Sequence, residues 1–66
     1  MKLMKLTDFE YTGKGKTIYL NPASVIGIEA GTEGVYIAYP YNENSYYHVM
    51  ETVEEVARIW EEAVNG

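Results

Sequence analysis

Cysteine is absent from this chain, and histidine occurs once. Disulfides and thiolate metal sites are therefore excluded, and one chain cannot assemble a histidine-rich metal centre. Positive charge is scarce. Five Lys and Arg stand against ten Asp and Glu, for a net charge of -5. A deficit of that sign argues against nucleic acid as a partner, because phosphate backbones are held by Lys and Arg. It also argues against anionic membrane surfaces. No apolar run approaches the roughly 20 residues of a membrane-spanning helix. Met1-Lys2-Leu3-Met4-Lys5-Leu6 is charged but leads into no apolar segment, so it does not read as a signal peptide. Missing cysteines and a missing signal together suit the cytoplasm. Length sets a further bound. Residues 1–66 make a single domain, and a domain this small buries only about 60% of its unfolded surface. With disulfides, thiolate metal sites and a histidine-rich centre excluded, homo-oligomerisation or unusually good packing is the expected source of extra stability.

What the chain has in excess is tyrosine, seven of 66 residues. Tyrosine suits strands, and it suits contact surfaces, where it offers a large apolar body with a polar tip. Most of the sequence reads as short strands separated by turn residues. Lys2 to Thr7 alternates, with Met4 and Leu6 on one face and Leu3 and Lys5 on the other. Gly13-Lys14-Gly15-Lys16 is a turn, and Thr17 to Leu20 returns as the partner of a hairpin. Asn21-Pro22 breaks that strand, and Pro22-Ala23-Ser24 reads as a tight or 3₁₀ turn. Val25 to Ala30 is a third strand with Ile26, Ile28 and Ala30 on one face. Gly31-Thr32-Glu33-Gly34 turns into Val35 to Tyr39. Pro40 ends that ladder, and the polar loop Pro40–Asn44 leads to Ser45 to Met50.

The last third is a helix. Thr52 is an N-cap and Glu55 completes a capping box. Glu54 and Glu55 lie at the positive end of the dipole, and Glu54 and Arg58 form a favourable pair four apart. Val53, Val56, Ala57, Trp60, Ala63 and Val64 make the apolar stripe, led by Trp60, and Asn65-Gly66 ends the helix. The expected fold is therefore α+β: a small antiparallel β-meander of four or five strands with one C-terminal helix packed on one face. Ile18 or Leu20, Ile26, Ile28, Val35, Ile37 and Val49 are expected beneath the helix. Tyr19, Tyr36, Tyr46 and His48 then occupy the opposite face, which a single helix leaves uncovered.

Several segments in order carry a likeness to a known family. They are Lys5-Leu6-Thr7, Tyr19-Leu20-Asn21-Pro22, Ile26-x-x-Glu29, Val35-x-Ile37, and Tyr47-x-Val49-x-Glu51-Thr52-Val53-Glu54-Glu55-Val56. Together they resemble the FlbD-type small proteins, found among bacterial flagellar genes and, as similar short proteins, in phage genomes. The resemblance covers nearly the whole chain. It implies a small cytosolic protein without enzymatic activity, a motility factor in the flagellar members, and it transfers no catalytic residue. The tyrosine-bearing Pro40–Tyr46 loop and the Gly-Lys-Gly-Lys turn are longer than the family pattern. They fit a relative that kept the scaffold and took on another binding task.

No catalytic constellation stands out. His48 is the one candidate base near neutral pH, but no Ser, Cys or Asp spacing supports a triad. A half-exposed strand position at an interface accounts for it, and copies of it meeting in an oligomer would make assembly sensitive to pH. Lys14 and Lys16 offer ammonium groups to an anion. The turn nevertheless lacks a phosphate-loop pattern and follows no βα unit. Tyr36, Tyr39, Tyr41, Tyr46 and Tyr47 are candidates to stack on a base or on a partner. The helix carboxylates read as a solvated face, with mimicry of nucleic-acid phosphate towards a basic protein as the competing reading. Ligand or partner binding is thus expected at Tyr36, Tyr39, Tyr41, Tyr46, His48, Lys14 and Lys16. No metal and no cofactor is implied. The expected function is a non-enzymatic interaction module that self-associates and binds a protein partner. The competing expectation is a phage-type anti-defence protein that sequesters a small nucleotide signal or blocks a defence protein.

Overall fold

The computed structural model describes residues 1–9, 15–40 and 46–66. Its elements run β1 (Met4–Thr7), β2 (Thr17–Leu20), a 3₁₀ turn (Pro22–Ser24), β3 (Gly27–Ala30), β4 (Val35–Ala38), β5 (Tyr46–Val49) and α1 (Val53–Asn65). The class is α+β, as the alternation and the capping box imply. The strands do not form a single uninterrupted meander. β1 and β2 make an antiparallel hairpin, and β3-β4-β5 a separate antiparallel sheet. The division falls at Asn21-Pro22. The Asn21 side chain accepts from Ala23 N–H at 2.9 Å, Ser24 N–H donates to Asn21 O at 3.0 Å, and Pro22 is buried. The chain is turned there through a short helix instead of a hairpin, so β2 and β3 do not pair.

The two sheets meet through β1 and β5 instead. Asp8 bridges Val49. Phe9 N–H donates to His48 O at 2.8 Å and Met50 N–H to Thr7 O at 2.9 Å. One position further on, Thr7 N–H donates to both carboxylate oxygens of Glu51 at 3.0 Å. A side chain thus supplies the acceptor where β5 has ended, and a half-buried backbone donator is satisfied. Joined in this way, the strands follow the order β2-β1-β5-β4-β3, with the β1–β5 corner as the junction of the two sheets. The helix lies against β1, β3 and the 3₁₀ turn.

The core is the inward face of every layer: Met4 and Leu6 of β1, Leu20 of β2, Val35 and Ile37 of β4, Val49 of β5, and Val56 and Ala63 of α1. Burying these apolar groups supplies the main stabilisation. The capping box forms as expected, with Thr52 Oγ1 accepting from Glu55 N–H and Glu55 accepting from Thr52 N–H. Gly66 ends the helix by donating to Glu62 O at 2.8 Å.

Three expectations are corrected. Ile26 is not core; it is 72% exposed. Its N–H donates to Ala38 O at 2.8 Å, although the register partner of Ala38 is Gly27. Two residues face one at that point, as in a β-bulge, and the alternation that would place Ile26 beside Ile28 is broken. Val25 packs on the core in its place. Trp60 does not lead the helix stripe but stands at its margin, 36% exposed. Its indole N–H needs an acceptor and finds Pro22 O at 3.0 Å. The buried stripe is accordingly turned toward Ile59, which packs on the core with Val53, and Ala57 is exposed. Arg58 pairs with Glu62 at 3.2 Å, not with Glu54. That exposed pair adds little to stability.

Candidate functional site

The outward face of β3, β4 and β5 is built by register. Glu29, Tyr36 and His48 are successive partners across the three strands. Phe9, on the outward parity of β1, extends the row past the β1–β5 corner. The result is a stack of three rings. Phe9 lies on His48 with centroids 4.4 Å apart and planes 15° from parallel; His48 lies on Tyr36 at 4.2 Å and 10°. Tyr46 meets Tyr36 edge-on, at 6.3 Å and 87°. Cross-strand aromatic contacts of this kind stabilise the pairing beyond their buried area.

The turn between β3 and β4 is locked to the stack. Gly31 N–H donates to Gly34 O at 3.1 Å. His48 Nε2 lies 2.6 Å from Glu33 O. A carbonyl only accepts, so Nε2 carries the proton. Gly34 is left-handed at φ 70, and a Cβ there would run into Val49 O and crowd His48 Nε2 and Phe9. At Gly31 a Cβ would sit 2.6 Å from Tyr36 Cε2. Gly34 is therefore required by its left-handed backbone and by close approach, and Gly31 lets the Tyr36 ring lie close against the turn.

Two hollows flank Tyr36. The first, of about 470 Å³, lies over the turn and is lined by Phe9, Tyr36 and His48 together with Glu29 and Glu33. The second, of about 260 Å³, lies between Gly27, Glu29, Tyr36, Ala38 and Tyr46. Its floor is low because Gly27 and Ala38, partners in register, carry little or no side chain. Tyr36 and Tyr46 stand as its walls. A larger hollow of about 550 Å³ follows the exposed helix surface between Glu54, Arg58 and Glu62. Its lining residues all belong to α1, and Arg58 and Glu62 among them are paired with each other.

Of the residues singled out from sequence, the structure brings Tyr36, Tyr46 and His48 together on this face. Tyr39 is placed elsewhere. It packs against the core, meets Tyr47 edge-on at 5.5 Å, and its hydroxyl accepts from Asn21 N–H at 3.1 Å. Tyr19 is exposed on β2, opposite Lys5. Lys16 lies just before β2, where its carbonyl accepts from Asp8 N–H at 2.7 Å. Lys14 and Tyr41 lie outside the described residues. Phe9 and Glu29 are members of the face that sequence reasoning missed. Alternation carried two residues past Thr7 would have placed Phe9, and pairing Gly27–Ala30 with Val35–Ala38 about the Gly31–Gly34 turn would have placed Glu29 beside Tyr36.

Among the described residues no group of three His, Asp or Glu side chains is arranged to hold a metal ion, and no helix is long and apolar enough to cross a membrane. No protein-family model, curated protein or solved structure matches this chain.

Proposed function

We propose that this chain is a non-enzymatic interaction module that self-associates and binds a protein partner, with the outward face of β4 and β5 as its contact surface. The observation that carries the proposal is the position of Tyr46. It is 59% exposed, on the side of the sheet away from the helix, at the end of an ordered set of rings. A tyrosine offers a large, stiff contact area and costs little entropy to bury against a partner. Among the described residues β2 and β3 also each pair on one side only, which leaves strand edges open to a further chain.

The state of His48 supports a role without chemistry. Both faces of its ring are stacked and its Nε2 proton is committed to a backbone carbonyl, so the ring orders the face instead of approaching a substrate. Glu29 and Glu33 beside the hollows favour a cationic protein surface over a nucleotide phosphate. The FlbD-type resemblance implies a small cytosolic protein without enzymatic activity, which agrees with this reading.

Sedimentation of the purified chain across the micromolar range tests self-association. The expected result is a weight-average mass that rises with concentration, and a lower mass for Tyr46→Ser at equal concentration. A monomer at every concentration overturns the self-association.

A further inference from the structure

We propose that the cleft beside Tyr36 receives an arginine side chain of the protein partner, with the guanidinium lying against the Tyr36 and Tyr46 rings and bonded to the Glu29 carboxylate. The inference rests on reading this face as a protein contact surface, and it names the chemistry of the partner.

The geometry points there in three steps. The ring stack Phe9–His48–Tyr36 stops at Tyr36, while the row of register partners continues by one more strand. His48 takes one face of Tyr36, and the cleft opens beside that ring toward β3, among Gly27, Glu29, Ala38 and Tyr46. The position where a fourth ring would stand is thus filled by a carboxylate and an empty floor. A Cβ on Gly27 would meet nothing within 4 Å. Glu29 itself is exposed, and among the described residues its carboxylate has no hydrogen bond or ion pair.

The chemistry that fits such a cleft is planar, cationic and able to give parallel hydrogen bonds. A guanidinium stacks flat on aromatic rings, and is attracted by their electron-rich faces. It also presents a two-pronged donor edge to a carboxylate. An ammonium is a compact, strongly hydrated point charge and uses only part of this arrangement. The net charge of -5 favours approach of a cationic partner.

The test is a titration of the ¹⁵N-labelled full chain with N-acetyl-arginine-N-methylamide, followed by amide shifts. The norleucine and lysine analogues are titrated in parallel. Saturable shifts are expected at Gly27, Glu29, Tyr36, Ala38 and Tyr46, in the millimolar range that one side chain can supply. Affinity is expected to fall about fivefold or more in Glu29→Gln and in Tyr46→Ala, the scale of one exposed cation–ring or charge-assisted contact. Tyr46→Phe is expected to keep it, because the ring face and not the hydroxyl is used. Equal binding of the lysine or norleucine analogue overturns the assignment. So do the absence of shifts, and shifts gathered along Glu54–Glu62 instead. Loss of self-association on changing the single arginine, Arg58→Lys, would place a second copy in the cleft and overturn a separate partner. The two proposals fail separately. A monomer that binds the probe removes self-association alone, and an oligomer that ignores the probe removes the arginine cleft alone.

Discussion

The two faces of β4 and β5 are made from alternate residues of the same two strands and do opposite things. Inward, Val35, Ile37 and Val49 are buried in the apolar core. Outward, Tyr36, Tyr46 and His48 keep part of their surface in water and are held by ring contacts and by one turn. The inner face is specified by volume, because a close-packed interior leaves no freedom. The outer face is specified by register, because only the pairing of strands brings its rings into line. Order on a surface that contributes little to the core is the feature on which the proposed contact role rests.

Substitutions on each side sharpen that contrast. The largest effect is expected at Ile37→Ala, which opens a cavity in the middle strand. A loss of about 2–5 kcal/mol is expected, of the size found for large-to-small core changes. Urea denaturation followed by circular dichroism measures it, and a loss under about 1 kcal/mol would mean that the core is not closed around Ile37. Gly34→Ala should come next. The left-handed backbone alone costs about 1–2 kcal/mol for a residue with a Cβ, and the meeting with Val49 O adds to it. The same variant should move the His48 ring resonances, since Cβ also crowds Nε2. Unchanged His48 resonances would separate the turn from the stack and break the comparison. The smallest effect on folding is expected at Tyr46→Ser, within about 0.5 kcal/mol as for most surface changes. Its thermal midpoint should stay close to that of the parent chain, and a large fall would make Tyr46 a structural residue instead of a contact residue.

Much of this was legible before the structure. The helix with its Thr52–Glu55 capping box, the Gly31–Gly34 turn, and the alternation of Val35, Ile37 and Val49 against Tyr36 and His48 are all local signals. Local signals fail where a distant contact decides. Ile26 obeys the alternation of its own strand until Ala38 faces both it and Gly27. Trp60 is the largest apolar group of the helix, yet the need of its N–H for Pro22 O holds it at the rim. Tyr39 has the composition of a binding residue, but its hydroxyl ties the Asn21 corner. Phe9 joined the face through hydrogen bonds to a strand nearly forty positions later, which no short window of sequence displays. The outer face was therefore readable as a set of residue types, and its ordering was not.

The carboxylate of Glu51 closes the first strand from 44 positions away. A chain emerging from the ribosome can shape the β1–β2 hairpin early, but the outer edge of that hairpin waits for a segment 44 positions further on. Until that segment arrives, the unfinished edge is the part of the nascent molecule most exposed to mispairing.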